Sequence, residues 1–321
     1  MRNRNSFEVR DSLNIFDLKH LNLQLGIPKD ELCDISENIK EHYHSEIISI
    51  KKQDGTIKKR VIYHPTERLR KILEAIDDYL LKKIKLPDYI HGARKGHNNI
   101  TNAEPHVGKK HVLTSDIADC YPSISVRKVR SLFIRLKCTP EVSACLTKLC
   151  TADNHLPQGY NTSPRIAVLV LQPATDRIWR LCKKYGITFT VYIDDLTMSG
   201  NKDLSPFKKT IERIINDYGL KIKSEKTKPL SQNQQHKVTG IVVNKKINVD
   251  KECFNSMRYT LHICKKYGPA NIIGKVTDSK GRKIETVERL KNNLRGKLNY
   301  IKNINPQKAN NLMIVFNDIR W

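Results

Sequence analysis

The sequence predicts an α+β fold on three observations. Short β-prone runs alternate with segments of helical apolar spacing, aspartates recur at the ends of two such runs, and residues 251 to 320 read as basic helices broken by the loop Thr277 to Lys283. From the start, residues 11 to 42 read as helical with a break near Gly26-Ile27-Pro28. Ile47 to Ile50, the turn pair Asp54-Gly55 and Ile57 to Tyr63 then form a basic β-hairpin. A helix from about Thr66 to Lys83 follows, with Leu69, Ile72, Leu73, Ile76 and Leu80 at helical spacing. His111 to Asp116 is a strand, and helices cover 126 to 137, 140 to 151 and 163 to 185, the last expected to kink at Pro173. Ile187 to Ile193 and Leu196 to Ser199 flank Asp194-Asp195, which places the paired acids at a hairpin tip. A helix at 206 to 218 and strands near 236 to 243 and 246 to 249 precede the basic helices.

Lysine and arginine total 58 against 33 aspartate and glutamate, a net charge of +25 spread along the 321 residues. Such a surface favours a polyanion, nucleic acid or acidic lipid. The lipid alternative weakens because no apolar run approaches the roughly 18 residues that span a bilayer. The N-terminus also lacks the apolar core of a signal peptide, so a cytoplasmic setting is expected. The eight cysteines form no CxxC pair and no zinc-like group with the eleven histidines, which leaves them as small buried side chains. There is no internal repeat.

The chemistry-bearing segments are Ser115-Asp116-Ile117-Ala118-Asp119-Cys120-Tyr121 and Tyr192-Ile193-Asp194-Asp195. Either alone reads as a solvated turn. Between them lies Leu156-Pro157-Gln158-Gly159-Tyr160-Asn161-Thr162-Ser163-Pro164, a loop feeding a helix. The ordered set resembles reverse transcriptases: a first aspartate motif, an LPQG-x-x-TSP loop and a Y-x-D-D hairpin, with a resemblance that runs from about residue 57 to 250.

The resemblance implies a right-hand polymerase with an N-terminal helical extension at 1 to 45, fingers at 46 to 110 and a thumb at 251 to 321. The palm would span 111 to 250, with fingers-type helices inserted at about 125 to 165. Joining a nucleotide to a strand uses two divalent ions about 4 Å apart. Asp116, Asp194, Asp195 and the carbonyl of Ile117 are then the expected ligands of two Mg2+ ions, for which Mn2+ can substitute. Lys226, in Ser224-Glu225-Lys226-Thr227, is expected to serve the pyrophosphate leaving group. Arg60 is expected to clamp the triphosphate of a dNTP, while Lys58 and Lys59 read equally as a solvated strand edge. Gln158 and Gly159 are expected to line the nucleotide, and Tyr121 to exclude ribonucleotides, with a packed core tyrosine as its alternative. Tyr160 and Ile193 depart from the family pattern at positions expected near the nucleotide and the primer end.

Asn102-Ala103-Glu104-Pro105-His106 and Val238-Thr239-Gly240 resemble the NAxxH and VTG elements of retron reverse transcriptases, and His91 to Ile100 follows the pattern ahead of NAxxH. Asn102, His106, Val238, Thr239 and Gly240 are thereby expected RNA contacts. The helix from about Ile284 to Lys302 sets Arg289, Lys291, Arg295, Lys297 and Lys302 among Leu290, Leu294 and Leu298, which suits a duplex-gripping thumb or an ordinary solvated helix. Tyr259, Tyr267 and Tyr300 are open between base stacking and core. The retron resemblance implies copying of a cognate noncoding RNA, priming from a guanosine 2'-hydroxyl and a branched RNA-DNA product (msDNA). It also implies a role in bacterial anti-phage defence with a separate effector protein. Its rivals are conventional 3'-hydroxyl priming and a catalytically silent RNA-binding scaffold.

Overall fold

A computed structural model of the protein describes residues 12–51, 57–223, 229–230, 233–278 and 281–321. The expected α+β architecture is present, in two apolar cores.

The first core starts with α1 (Leu18–Leu25) and α2 (Lys29–Glu37). Asp17 caps α1 by accepting from the His20 N–H, and Gly26 ends it at φ 68, a left-handed angle that glycine adopts without a Cβ penalty. Leu18, Leu21, Leu25, Leu32 and Ile35 are buried, which ties these helices into the main core. β1 (Tyr43–Lys51) and β2 (Ile57–Pro65) pair antiparallel with Ile48 opposite Arg60. Period two therefore puts Lys58, Arg60 and Ile62 on one face and Tyr63 on the other. The expected turn pair Asp54-Gly55 lies outside the described residues. α3 (Glu67–Tyr79) buries Leu69, Ile72, Leu73 and Ile76 as its spacing requires.

After α4 (Asn99–Ala103) comes the central sheet, built from β3 (His111–Asp116), β4 (Thr188–Tyr192), β5 (Asp195–Gly200) and β6 (Pro229–Leu230) in the order β4-β5-β3-β6. α8 (Ser163–Lys184) packs on β4, α6 (Val126–Arg135) and α9 (Phe207–Asp217) pack on α8, and α7 (Pro140–Cys150) packs on α6, while the one-turn α5 (Cys120–Ser123) follows the end of β3. Pro173 lies inside α8, which runs as one helix of 22 residues.

The second core joins α10 (Lys251–Tyr267), α11 (Val287–Ile304) and α12 (Pro306–Asn317) to the small sheet β7 (Lys237–Val238), β8 (Ile241–Val242) and β9 (Asn248–Val249). Val238, Ile241, Val243 and Val249 share that core with Leu261, Leu294 and Leu298. Packing thus changes hands before residue 250, because those strands bury their apolar side chains against the terminal helices. Among the described residues no helix is long and apolar enough to cross a membrane.

Candidate active site

Backbone pairing brings the acids together. Asp116, the last residue of β3, stands opposite Asp195, the first of β5, and Tyr192 of β4 also pairs with Asp195. Ile193-Asp194 is thus a two-residue turn. Its first residue, Ile193, has φ 59, a left-handed angle that a β-branched side chain adopts only under constraint. The constraint is visible. The Ile117 N–H donates to the Asp194 carbonyl at 3.1 Å, and on the other flank Ile90 bridges Val191 in parallel while His91 N–H donates to the Val191 carbonyl at 2.8 Å. Residues 89 to 92 therefore act as an extra edge on β4, and Gly92 lies directly against the tip: a Cβ there would stand 2.3 Å from the Ile193 nitrogen.

Burial and the neighbouring Asp116 carboxylate push Asp194 above the usual carboxylate range. Lys223 partly offsets this accumulation of charge: its Nζ lies 2.5 Å from Asp116 Oδ2, and its N–H donates to the Asp116 carbonyl at 2.9 Å. Among the described residues no three His, Cys, Asp or Glu side chains already converge as a cation cage. The donor set nevertheless suits a hard divalent cation, since it is all oxygen and carries more negative charge than one ammonium offsets. In this geometry Lys223 occupies the cationic place beside Asp116.

Of the expected nucleotide-side residues, Lys58 and Tyr121 lie within electrostatic reach of the acids, and Gln158 and Gly159 pack against β2. Lys58 feels Lys223 and Arg60 as repelling cations and Asp119 and Asp116 as attracting anions, with burial the largest influence lowering its pKa. Lys58 therefore lies within electrostatic reach of Asp116 and Asp119, with Arg60 beside it on the same face of β2. The loop at Gln158 and Gly159 is seated on the same strand. Tyr63 N–H donates to the Gln158 carbonyl at 2.7 Å, and Gly159, at φ 122, approaches so closely that a Cβ would stand 2.2 Å from the Tyr63 carbonyl oxygen. Tyr121 on α5 is half-buried, and burial followed by Cys120 and Asp194 raises its phenol. Tyr160 corrects an expectation: it is 2% exposed and packs in the main core, so it does not line a nucleotide pocket. Lys226 lies outside the described residues.

Asn102 and His106, expected on RNA, are fully buried, which removes them from any surface in this structure. His106 instead bridges two strands of the sheet, with Nδ1 2.6 Å from Ser199 Oγ and Nε2 2.8 Å from Thr190 Oγ1. Val238 is buried as well. Thr239 (φ 46) and Gly240 (φ 83) form the turn between β7 and β8, and that turn docks on α4. Thr239 Oγ1 donates to the Asn99 carbonyl at 3.0 Å, while Asn99 Nδ2 donates to the Thr239 carbonyl at 3.3 Å and to the Tyr300 hydroxyl at 2.7 Å. The two elements are thus neighbours that brace the sheet against α11, and Gly240 is the exposed member.

Burial pushes His106 down to about 3 and His91 down to about 4, so both rings are neutral in the folded chain at neutral pH. An unfolded histidine gains its proton near pH 6.5, so protons favour the unfolded state and stability is lost as pH falls below about 6.5. His106→Gln is expected to lower the melting temperature at pH 7 and to flatten its decline from about pH 6.5 to 4. Equal slopes for variant and wild type in thermal denaturation would refute the assignment.

Of the basic residues on α11, Arg289 is engaged by Asp278 at 3.0 Å, and the Arg295 guanidinium lies 5.7 Å from the centre of the Phe316 ring. Both therefore have structural partners, whereas Lys297 and Lys302 are exposed and Lys291 is half-buried. A cavity of about 1380 Å³ lies between residues 77 to 97 and the stretch from Asn161 to Arg180, but none of the three aspartates lines it. Sequence reasoning missed Lys223 and the edge segment at Gly92. A lysine in Lys221-Ile222-Lys223 carries no signal of its own, although a glycine closing the short run Tyr89-Ile90-His91 hints at a close approach.

Comparison with known proteins shows the family. Residues 50–243 match the family Reverse transcriptase (RNA-dependent DNA polymerase). The chain is 34% identical over 265 residues to the retron Se72 reverse transcriptase of Salmonella heidelberg, covering 79% of this chain and 69% of that one. It is 30% identical over 223 residues to the retron Ec86 reverse transcriptase of Escherichia coli, covering 68% and 70%. With the retron Mx65 reverse transcriptase of Myxococcus xanthus it shares 29% over 289 residues, covering 84% and 63%. The hairpin acids, the loop seated on β2 and the paired NAxxH and VTG elements thus belong to a chain of the reverse transcriptase family, an RNA-directed DNA polymerase of the retron group.

Proposed function

We propose that the protein copies part of a cognate structured noncoding RNA into DNA, priming from a guanosine 2'-hydroxyl so that the product is a branched RNA-DNA. The observation that carries the polymerase chemistry is the placement of Asp116, Asp194 and Asp195 at adjoining strand ends, with Lys58 of β2 within electrostatic reach of Asp116. Two magnesium ions, or manganese in their place, would supply activation of the attacking hydroxyl and neutralisation of the triphosphate when bound. In this reading the three carboxylates and the Ile117 carbonyl hold them, and Lys223 yields its place beside Asp116. Arg60 and Lys58 grip the phosphates of the incoming dNTP, where a guanidinium meets phosphate oxygens in a bidentate fork. Gln158 and Gly159 shape the pocket, Tyr121 lies under the sugar, and Lys226 serves the leaving pyrophosphate. Gly240, Lys291, Lys297 and Lys302 offer the surface for RNA phosphates, whose contacts are largely indifferent to sequence.

The names of the relatives support the retron reading, as does the adjacency of the two elements that resemble theirs. A bacterial cytoplasmic setting, a separate effector and a role against phage belong to the same reading. The test is to purify the protein with its nucleic acid, supply dNTPs and magnesium, and treat the product with a debranching enzyme. A product that debranching separates into RNA and DNA is expected. A product untouched by that enzyme would instead mean conventional 3'-hydroxyl priming.

A further inference from the structure

Asp153 lies outside every motif considered so far. It is the first central residue of a tight turn, Ala152-Asp153-Asn154-His155, in which Asp153 (φ 46) and Asn154 (φ 66) are both left-handed. Ala152 and His155 exchange both backbone hydrogen bonds at 3.0 Å, the pattern of a type I' hairpin turn. The turn is anchored to the segment before α6, since Val126 N–H donates to the Asn154 carbonyl and Leu156 N–H to the Ile124 carbonyl. It leads directly into Leu156-Pro157-Gln158-Gly159.

From this rigid mount the Asp153 carboxylate receives two hydroxyls from the root of the β1–β2 hairpin. Tyr43 on β1 donates to Oδ1 at 2.8 Å, and Tyr63 on β2 donates to Oδ2 at 2.9 Å. The Tyr63 ring meets Tyr43 edge-on at 5.7 Å and His155 edge-on at 5.5 Å. The two hydroxyls hold the Asp153 carboxyl below its usual range, and burial with the Asp153 bond pushes Tyr63 up to about 12. Tyr63 is also the residue whose N–H meets Gln158 and whose carbonyl lies against Gly159. The hairpin root is thus tied to the nucleotide loop by backbone on one side and by Asp153 on the other.

We infer that Asp153 is a positioning residue for nucleotide binding, a latch that sets the angle of the β1–β2 hairpin and so the reach of Arg60 and Lys58 over the acids. The inference rests on the polymerase reading above. Arg60 lies three residues from Tyr63, about 10 Å along a strand, so a tilt of about 6° at the root displaces it by about 1 Å. Displacements of that size matter for groups that must meet a phosphate in register. The latch touches neither the acids nor the primer end, so its loss acts on nucleotide affinity and leaves the chemical step intact.

The test is single-nucleotide incorporation of dTTP on poly(rA)/oligo(dT) with magnesium. Asp153→Ala is expected to raise KM for dTTP about fivefold while kcat stays within about twofold of wild type. Tyr43→Phe combined with Tyr63→Phe is expected to do the same, and adding Asp153→Ala to that pair to change nothing further, because one set of bonds has already gone. An unchanged KM, a fall in kcat alone, or additive effects in the triple variant overturn the latch. If Asp153→Ala does not fold, the tyrosine pair, which loses only two hydroxyls, decides by its own KM. A wild-type protein that incorporates nothing overturns the polymerase reading and the latch with it.

Discussion

Asp194→Asn is expected to lower primer extension by about a thousandfold or more while raising the melting temperature measured without magnesium by a few degrees. The two effects have one cause. Asp194 is held above the usual carboxylate range first by burial and then by Asp116, so in the folded chain its negative charge is unfavourable. A folded pKa above the unfolded value means that the carboxyl favours the fold when protonated, and this contribution disappears as pH rises through the folded value. The ionised side chain therefore weakens the protein, and a neutral amide of nearly the same shape relieves the repulsion. Lys223 tempers the strain but is itself engaged with Asp116. The amide cannot replace a carboxylate as a ligand for a hard divalent cation, so activity falls where stability gains. Differential scanning calorimetry in chelator and extension on an RNA template measure the two sides. Activity within tenfold of wild type sinks the catalytic assignment, and a lower melting temperature sinks the electrostatic one.

The parts of this site legible from sequence are those that depend on neighbours in the chain. A two-residue turn between β-prone runs places Asp194 and Asp195 at a tip whatever the rest of the protein does, and the Gly159 backbone announces itself as a loop. Legibility fails where the deciding contact joins distant residues. Asn99 and Thr239 are 140 positions apart, and nothing local distinguishes elements that bind RNA from elements that bind each other. His106 belongs to the element expected on RNA. Its two ring nitrogens fit hydroxyls on β4 and β5, and such a satisfied histidine can be buried without penalty from unmade bonds. Tyr160 failed for a related reason, since the loop's direction at Gln158 and Gly159 turns the next side chain inward. Strands near 236 to 243 and 246 to 249 are legible, but not the turn at Thr239-Gly240 that divides the first into β7 and β8, and which core receives them is decided by the faces of α10 and α11.

Gly92→Ala is expected to reduce kcat by about a hundredfold with little change in affinity for the primer-template. The substitution makes no conformational demand, because Gly92 does not have a left-handed φ. What it adds is a carbon 2.3 Å from the Ile193 nitrogen, 2.8 Å from Ile193 Cγ1 and 2.9 Å from the Tyr192 carbonyl carbon. Two of those atoms are backbone, so no side-chain rotation relieves the clash and the strands must part. They are joined by the bonds from His91 and Gly92 to the Val191 carbonyl, so parting them lifts the turn that carries Asp194. The turn is already constrained at Ile193, which leaves it little freedom to absorb the push elsewhere. Gly200→Ala is the control. It sits at the far end of β5, its new carbon would approach nothing nearer than Ile187 Cγ1 at 4.0 Å, and it is expected to leave kcat unchanged. Equal losses in both variants would mean that glycine flexibility matters and contact does not, whereas a loss confined to Gly92→Ala assigns the segment before α4 the task of holding the catalytic turn in register.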